Sequence, residues 1–188
     1  MRSNQNKRST NTISILLFSI TILLSGNVFS AFTIGQTGPG GGIIFQVTRD
    51  GLHGLEVAKV DQSTAIQWHV YNGIDLNTMA VKSGLRDGGF NTDRIIITHG
   101  SENYAALLCA NYNGGGYGDW YLPSKDELNL LYKNLHLKGL GGFTSLANYW
   151  SSTELNTDQA WAQFFSGGNQ FVMAKRGNEA HVRCVRAL

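Results

Sequence analysis

Apolar residues recur along this chain in two rhythms, and the change from one to the other marks its best-specified boundary. Leu128, Leu131 and Leu135 are spaced as on one face of a helix, with Leu130 and Tyr132 widening the stripe. Just before them, Trp120-Tyr121-Leu122 reads as an extended aromatic segment, and Pro123 disfavours the α region for Leu122. Ser124 follows, with Glu127 three residues on. This is the spacing of a capping box: the serine oxygen accepts from the Glu127 amide while the Glu127 carboxylate accepts from the serine amide. Such a cap contributes about 1 kcal/mol, so a helix is predicted to start directly after Pro123.

On either side of this motif the period is shorter. Gly42–Val47 and Leu55–Val60 read as strands joined at Asp50-Gly51, an N-terminal hairpin. From Ala65 to Arg94 the chain is rich in Gly, Asn and Asp, which predicts loops with one short strand at Ile66–His69. Between Asn91 and Asn111 the pattern turns helical, interrupted near Gly100, and Gly114–Gly116 ends it. Beyond the glycines at 139–142 a meander is predicted: Tyr149–Ser152, Gln159–Phe165, Gln170–Ala174 and Ala180–Arg186. Gly167-Gly168 and Gly177-Asn178 serve as turns between successive runs. In the last run Val182 and Cys184 share one face, with His181, Arg183 and Val185 on the other. Strands at both ends with helices between them predict an α+β domain in which helices cover a mainly antiparallel sheet.

Composition changes this picture at the N-terminus. Arg2, Lys7 and Arg8 precede an apolar run of 12 residues, Ile13–Leu24, and Val28-Phe29-Ser30 offers a cleavage point before Ala31. Residues 1–30 therefore read as a secretory signal peptide, too short in its apolar part for a membrane span of about 20 residues. The expected mature unit is a single domain over residues 31–188, exported to the periplasm, the cell surface or the medium. The 15 Lys+Arg of the whole chain fall to 12 without the leader, against 13 Asp+Glu, a formal charge of −1. A nearly neutral chain predicts no nucleic-acid partner, so any affinity for polyanions must come from local clustering. Both cysteines, Cys109 and Cys184, lie in the mature part. An even count in an exported chain favours a disulfide, the other reading being a pair of buried thiols.

Candidate chemistry is sparse. Gly35-Gln-Thr-Gly38-Pro-Gly-Gly41 is too short for a collagen triple helix, and no Lys-Ser/Thr follows it as in a phosphate cradle. His53 and Glu56 lack a third ligand at useful spacing, so no metal is expected. Ser151 and Ser152 lack an evident base among the scattered histidines, so no catalytic residue is expected. Trp120, Trp150 and Trp161 read as core rather than sugar-stacking platforms, each burying on the order of 200 Å². The clearest asymmetry is C-terminal: Lys175, Arg176, Arg183 and Arg186 face only Glu179 after Phe171. If a hairpin brings Lys175, Arg176 and Arg183 onto one face, they form a candidate ligand-binding cluster for sulfated or carboxylated polysaccharides. The competing reading makes them solvated strand-end charges, with Arg183 or Arg186 paired to a buried carboxylate such as Glu127.

Several separated segments together resemble a known family. Trp120-Tyr121-Leu122-Pro123 to Glu127-Leu128, Tyr149-Trp150-Ser151-Ser152-Thr153-Glu154, Ala160-Trp161 and Val182-Arg183-Cys184-Val185-Arg186 are similar to the C-terminal domain of the Legionella collagen-like adhesin, Lcl. Gly38–Phe45 and Gly51–Glu56 are similar to further segments of such proteins. No collagen-like array stands before these motifs, so a collagen-trimerised stalk is not carried over. The resemblance implies a C-type-lectin-like fold, shared with formylglycine-generating enzymes. In that fold the N- and C-terminal strands pair, two helices flank them, and a helix-to-last-strand disulfide corresponds to Cys109–Cys184. It also implies an adhesin-like, non-enzymatic binding module without a cofactor. The expected partner is an anionic polysaccharide or cell-surface glycan, with self-association adding avidity. The alternative is a protein-interaction or scaffold domain without a sugar ligand, displaying the Asn-rich loops at Asn72–Asn77 and Asn111–Asn113 to a protein receptor.

Overall fold

A computed structural model of the protein describes residues 30–70 and 76–188. The expected signal peptide, apart from Ser30, and most of the Asn72–Asn77 loop lie outside these residues. The C-terminal strand joins the N-terminal hairpin in one sheet, as the resemblance implied in outline, but it pairs with the second strand of that hairpin and not the first. Strand β1 (Ile43–Val47) runs antiparallel to β2 (Gly54–Val57), and β2 in turn pairs antiparallel with β8 (Val185–Ala187). The predicted N-terminal hairpin is therefore present, with its second strand ending at Val57 rather than Val60.

The second sheet has the order β3-β7-β4-β5-β6, formed by Ser63–Ile66, Ala180–Val182, Asn148–Glu154, Gln159–Phe164 and Gln170–Ala174. Strands β4, β5 and β6 form the predicted meander. The fourth run departs from it: β7 returns to the far side of β4, parallel to it through Tyr149↔His181, and antiparallel to β3. The turn at Gly177-Asn178 therefore carries the chain across two strands instead of closing a hairpin, and β6 remains an edge. The predicted last strand also divides, because Arg183 and Cys184 cross from one sheet to the other. At the crossing, the Cys184 carbonyl accepts from Ala58 N and the Cys184 amide donates to the Gln62 side chain at 2.7 Å. The class is thus α+β with an antiparallel three-stranded sheet and a mixed five-stranded one.

The helices are α1 (Asp87–His99), α2 (Ala105–Ala110) and α3 (Lys125–Asn134). The expected break near Gly100 is real: its φ of 71° ends α1, and its amide donates to Ile96 O. Helix α1 nevertheless begins well before the apolar pattern does. Gly88 explains why, since a Cβ there would lie 2.7 Å from Leu122 O and 2.8 Å from Ser124 N. Glycine, a weak helix former, is needed so that α1 can touch the backbone of the Pro123 break. At that break both arms of the capping box are formed, Ser124 Oγ accepting from Glu127 N at 3.2 Å and Glu127 Oε2 accepting from Ser124 N at 2.8 Å.

Two apolar clusters meet along β4. Trp150 faces one with Trp68, Trp120, Tyr104, Ile95 and the cysteines, while its neighbour Tyr149 faces the other with Phe45, Phe165, Leu128, Leu131 and Val185. The indoles are tied into the frame, Trp150 Nε1 donating to Ile66 O at 2.9 Å and Trp68 Nε1 to Ser151 O at 2.8 Å. Trp120 and Trp150 are buried as expected, whereas Trp161 is half-buried beneath Lys125, whose Nζ stands 3.5 Å from the ring centroid. Cys109 of α2 and Cys184 form a disulfide with a Cα–Cα distance of 5.3 Å across 75 positions of sequence.

Candidate functional site

The three cations expected to form a ligand-binding cluster are not brought together. Lys175 is fully buried, its Nζ ion-paired to Glu154, donating to Thr157 O at 3.0 Å and lying 4.5 Å from the Trp68 ring centroid. Arg183 is 1% exposed. Its Nε donates to Asp61 at 2.5 Å, while Nη1 donates to the carbonyls of Ala58, Lys59 and Gly141. Only Arg176 stands exposed, in the turn after β6. The surface cluster is therefore corrected: it required β6 and β7 to be neighbours, and two strands separate them. A buried guanidinium or ammonium is tolerated only when paired and fully hydrogen-bonded, and both residues meet that condition.

The remaining charges also work inside. Glu56, fully buried, accepts from the amides of Gly40 at 2.8 Å and Gly42 at 3.1 Å and pairs with Arg186 at 2.6 Å. This accounts for the glycine loop. A Cβ at Gly38, Gly40 or Gly42 would fall 2.3, 2.5 or 2.4 Å from Glu56 or from the Val57 carbonyl. The loop is thus a cradle for an anion, and that anion is the chain's own carboxylate. Arg186 also binds Asp119 through Nε at 2.7 Å and Nη2 at 3.0 Å, a two-pronged contact that holds the Asp119 carboxyl below the usual carboxylate range. The pairing of Arg183 and Arg186 with buried acids matches the competing sequence reading in kind, although the acids are Asp61, Glu56 and Asp119. Glu127 instead accepts from Arg86 N, Ser124 N and the Tyr121 hydroxyl. Burial pushes the Glu127 carboxyl up against these donors.

Asp61 is the other hub. Besides Arg183 it accepts from the Tyr149 hydroxyl at 3.0 Å and sits 2.7 Å from His181 Nδ1. Sequence reading missed it, since a single Asp after a strand carries no signal until Tyr149, His181 and Arg183 converge on it from elsewhere in the chain. His53 lies exposed beside the hairpin turn while Glu56 is drawn into the glycine loop, so the pair does not form a site. Among the described residues no group of three or more His, Cys, Asp or Glu is placed to hold a metal ion. Ser151 Oγ donates to Trp161 O at 2.8 Å, and Ser152 Oγ accepts from Asn91 at 3.3 Å, so both hydroxyls are buried in structural bonds.

The outer surface offers different chemistry. An open hollow of about 500 Å³ is lined by Asn148, Phe164, Asn169 and Phe171 at the end of the five-stranded sheet. A second, of about 380 Å³, lies among His136, Leu140 and Phe143. On α1, Phe90 and Ile97 are one i, i+7 interval apart and exposed, as are Met79 and Val81 on the segment running beside the helix. That segment is fastened by Arg94 Nε to Thr78 O at 3.1 Å and by the Asn91 side chain to the backbone of Lys82.

Comparison with known proteins gives this frame relatives. No curated protein matches the chain in sequence. Among solved structures, a fimbrial protein from Bacteroides ovatus ATCC 8483 is similar in fold, with a TM-score of 0.52 at 14% identity. The match covers 79% of this chain and 44% of that one, so this chain spans less than half the length of the fimbrial protein. The sequence match is broader in meaning, running from Ala58 through the buried cations and the disulfide to Arg186. Over residues 58–186 the chain matches the Lcl C-terminal domain, and it belongs to that family.

Proposed function

We propose that residues 31–188 form one exported, non-enzymatic binding module of adhesin type that holds a glycan outside the cytoplasm, on a frame of the C-type-lectin-like kind. The observation that carries this reading is the family membership over residues 58–186 on a disulfide-closed frame. A disulfide between a helix and the sheet crossing suits an oxidising compartment, in keeping with an N-terminal export signal. The pairing of β8 with the N-terminal hairpin through β2 supports the fold assignment. A preference for sulfated glycans rested on three cations, of which Lys175 and Arg183 are committed to internal carboxylates. Arg176 is the one of the three that is exposed, a single charge whose effect on an external anion falls with salt.

A second reading is a protein-interaction domain, and the exposed apolar side chains Phe90, Ile97, Met79 and Val81 favour it. The test is a glycan array carrying uncharged and sulfated oligosaccharides, run beside crosslinking capture of protein partners. Retention of an intact glycan without turnover is the expected result. A blank array together with a captured partner that is lost in Ile97→Lys would replace the first reading by the second.

A further inference from the structure

The hollow at the end of the five-stranded sheet has a lining that selects among ligands. Ala162 is opposite both Trp150 and Phe171, and Phe164 is opposite Asn148, so all of these side chains share one sheet face. The tryptophan-rich cluster covers Trp150 and Ala162 and has Phe171 packed on its edge, while Phe164 lies outside it. Phe164, Phe171 and Asn148 are left half-buried and Asn169 exposed. The Asn169 carbonyl accepts from Phe164 N at 3.0 Å, which fixes the turn that brings the second carboxamide to the rim. Neither carboxamide hydrogen-bonds another side chain or backbone group among the described residues. Four uncharged residues thus offer two aromatic rings and two groups that each donate and accept.

We propose that this hollow is a binding subsite for an uncharged pyranose saccharide, with the Phe164 and Phe171 rings against the apolar face of the sugar and the Asn148 and Asn169 carboxamides on its hydroxyl or acetamido groups. The inference rests on the adhesin-type reading above and names the ligand class of that module. A pyranose carries an apolar C–H face and a rim of groups that both donate and accept, which is the complement of this lining. A sulfated ligand finds no cation here, since the lining residues are all neutral. A purely apolar ligand would cover the half-buried Asn148 carboxamide without bonding it, which is costly.

The test uses the purified protein on an array of uncharged oligosaccharides printed beside their sulfated counterparts. It is read at about 0.1 M and about 1 M salt, between which the Debye length falls from about 10 to about 3 Å. Binding to uncharged sugars that salt leaves unchanged is expected, weakened about fivefold by Phe171→Ala and by Asn169→Ala. Phe171 also packs on the core edge. Asn169→Ala, at an exposed position, therefore gives the deciding value if Phe171→Ala does not fold. Blank uncharged spots with salt-sensitive binding to sulfated ones would overturn the subsite and leave the adhesin reading standing. Uncharged binding that neither variant moves would overturn its location. An array blank throughout would remove both.

Discussion

The two ends of the five-stranded sheet use their side chains in opposite ways. On the β7 side, where the chain crosses to β8, charge is concentrated and closed off: Arg183 on Asp61, Arg186 on Glu56 and Asp119, with the disulfide between them. At the β5–β6 end the hollow of Asn148, Phe164, Asn169 and Phe171 is uncharged and open. The contrast teaches that the buried cations Lys175, Arg183 and Arg186 are struts. They join segments that have no other common element, such as Asp61, the 141–142 loop and β7. A strut must be sealed from water to hold its geometry, while a binding surface must be left open. The residues that look most reactive in the sequence are for that reason the least available.

The comparison is tested most severely at the closed end. Replacing Cys109 and Cys184 together by alanine removes a 75-residue crosslink and is expected to cost roughly 4 kcal/mol. That is a large part of a typical total of about 5–15 kcal/mol and would be read as a lower denaturant midpoint. Arg183→Met comes next at roughly 3–4 kcal/mol, because it takes the cation from Asp61 and the donors from four carbonyls that the guanidinium satisfies. Asp61→Asn combined with Arg183→Met should cost less than the sum of the two single changes, the signature of a coupled pair. A cost below about 1 kcal/mol for Arg183→Met, with loss of ligand binding instead, would return this residue to the surface and break the contrast.

Alkaline pH sharpens it further. Burial pushes the Tyr104 and Tyr149 hydroxyls up to about 12 from an ordinary 10.0. A tyrosine whose folded pKa is raised contributes stability that is fully present below the unfolded value and disappears as pH climbs through the folded one. The protein should therefore hold its melting temperature up to about pH 10 and lose it between about pH 10 and 12, with part of the tyrosinate absorbance appearing only as the chain unfolds. A nearly complete tyrosinate signal at about pH 11 from a still-folded chain would show that Tyr104 and Tyr149 are not sealed, the latter between Thr144 N and Asp61.

What the sequence made legible was local. The capping box at Ser124, the helix break at Gly100 and the N-terminal hairpin each rest on residues within a few positions of one another, and each is found. The cysteine pairing was accessible from the count and from the family resemblance. The order of the strands was not legible, because Gly177-Asn178 is an equally good turn whether the chain folds back or crosses over. That one ambiguity is what misplaced Lys175, Arg176 and Arg183 on a shared face. The start of α1 was hidden by Gly88 and Gly89, weak helix formers, of which Gly88 is kept for a close approach to the Leu122 and Ser124 backbone. The sheet hollow was invisible for another reason. Asn148, Phe164, Asn169 and Phe171 sit on different strands and turns, and nothing in their spacing distinguishes them from core and loop residues.

The smallest expected effect is the most discriminating, because it compares adjacent residues. Lys175 continues the ladder, its amide donating to Asp158 O, and its side chain turns inward to Glu154. Arg176 is one step further, where Gly177 at φ 68° reverses the chain, and its side chain is exposed. Arg176→Ala is therefore expected to change stability by less than about 0.5 kcal/mol, which for a chain of this size moves the melting temperature by less than about 2 °C. On a sulfated matrix it should lower the salt needed for elution by one small step, the share of a single exposed charge. Lys175→Met should act the other way round, destabilising the fold by stranding Glu154 while leaving elution at low temperature unchanged. If instead both changes weakened elution equally and neither touched stability, Lys175 would have to reach solvent, and the division between a closed charged end and an open neutral one would fail at this turn.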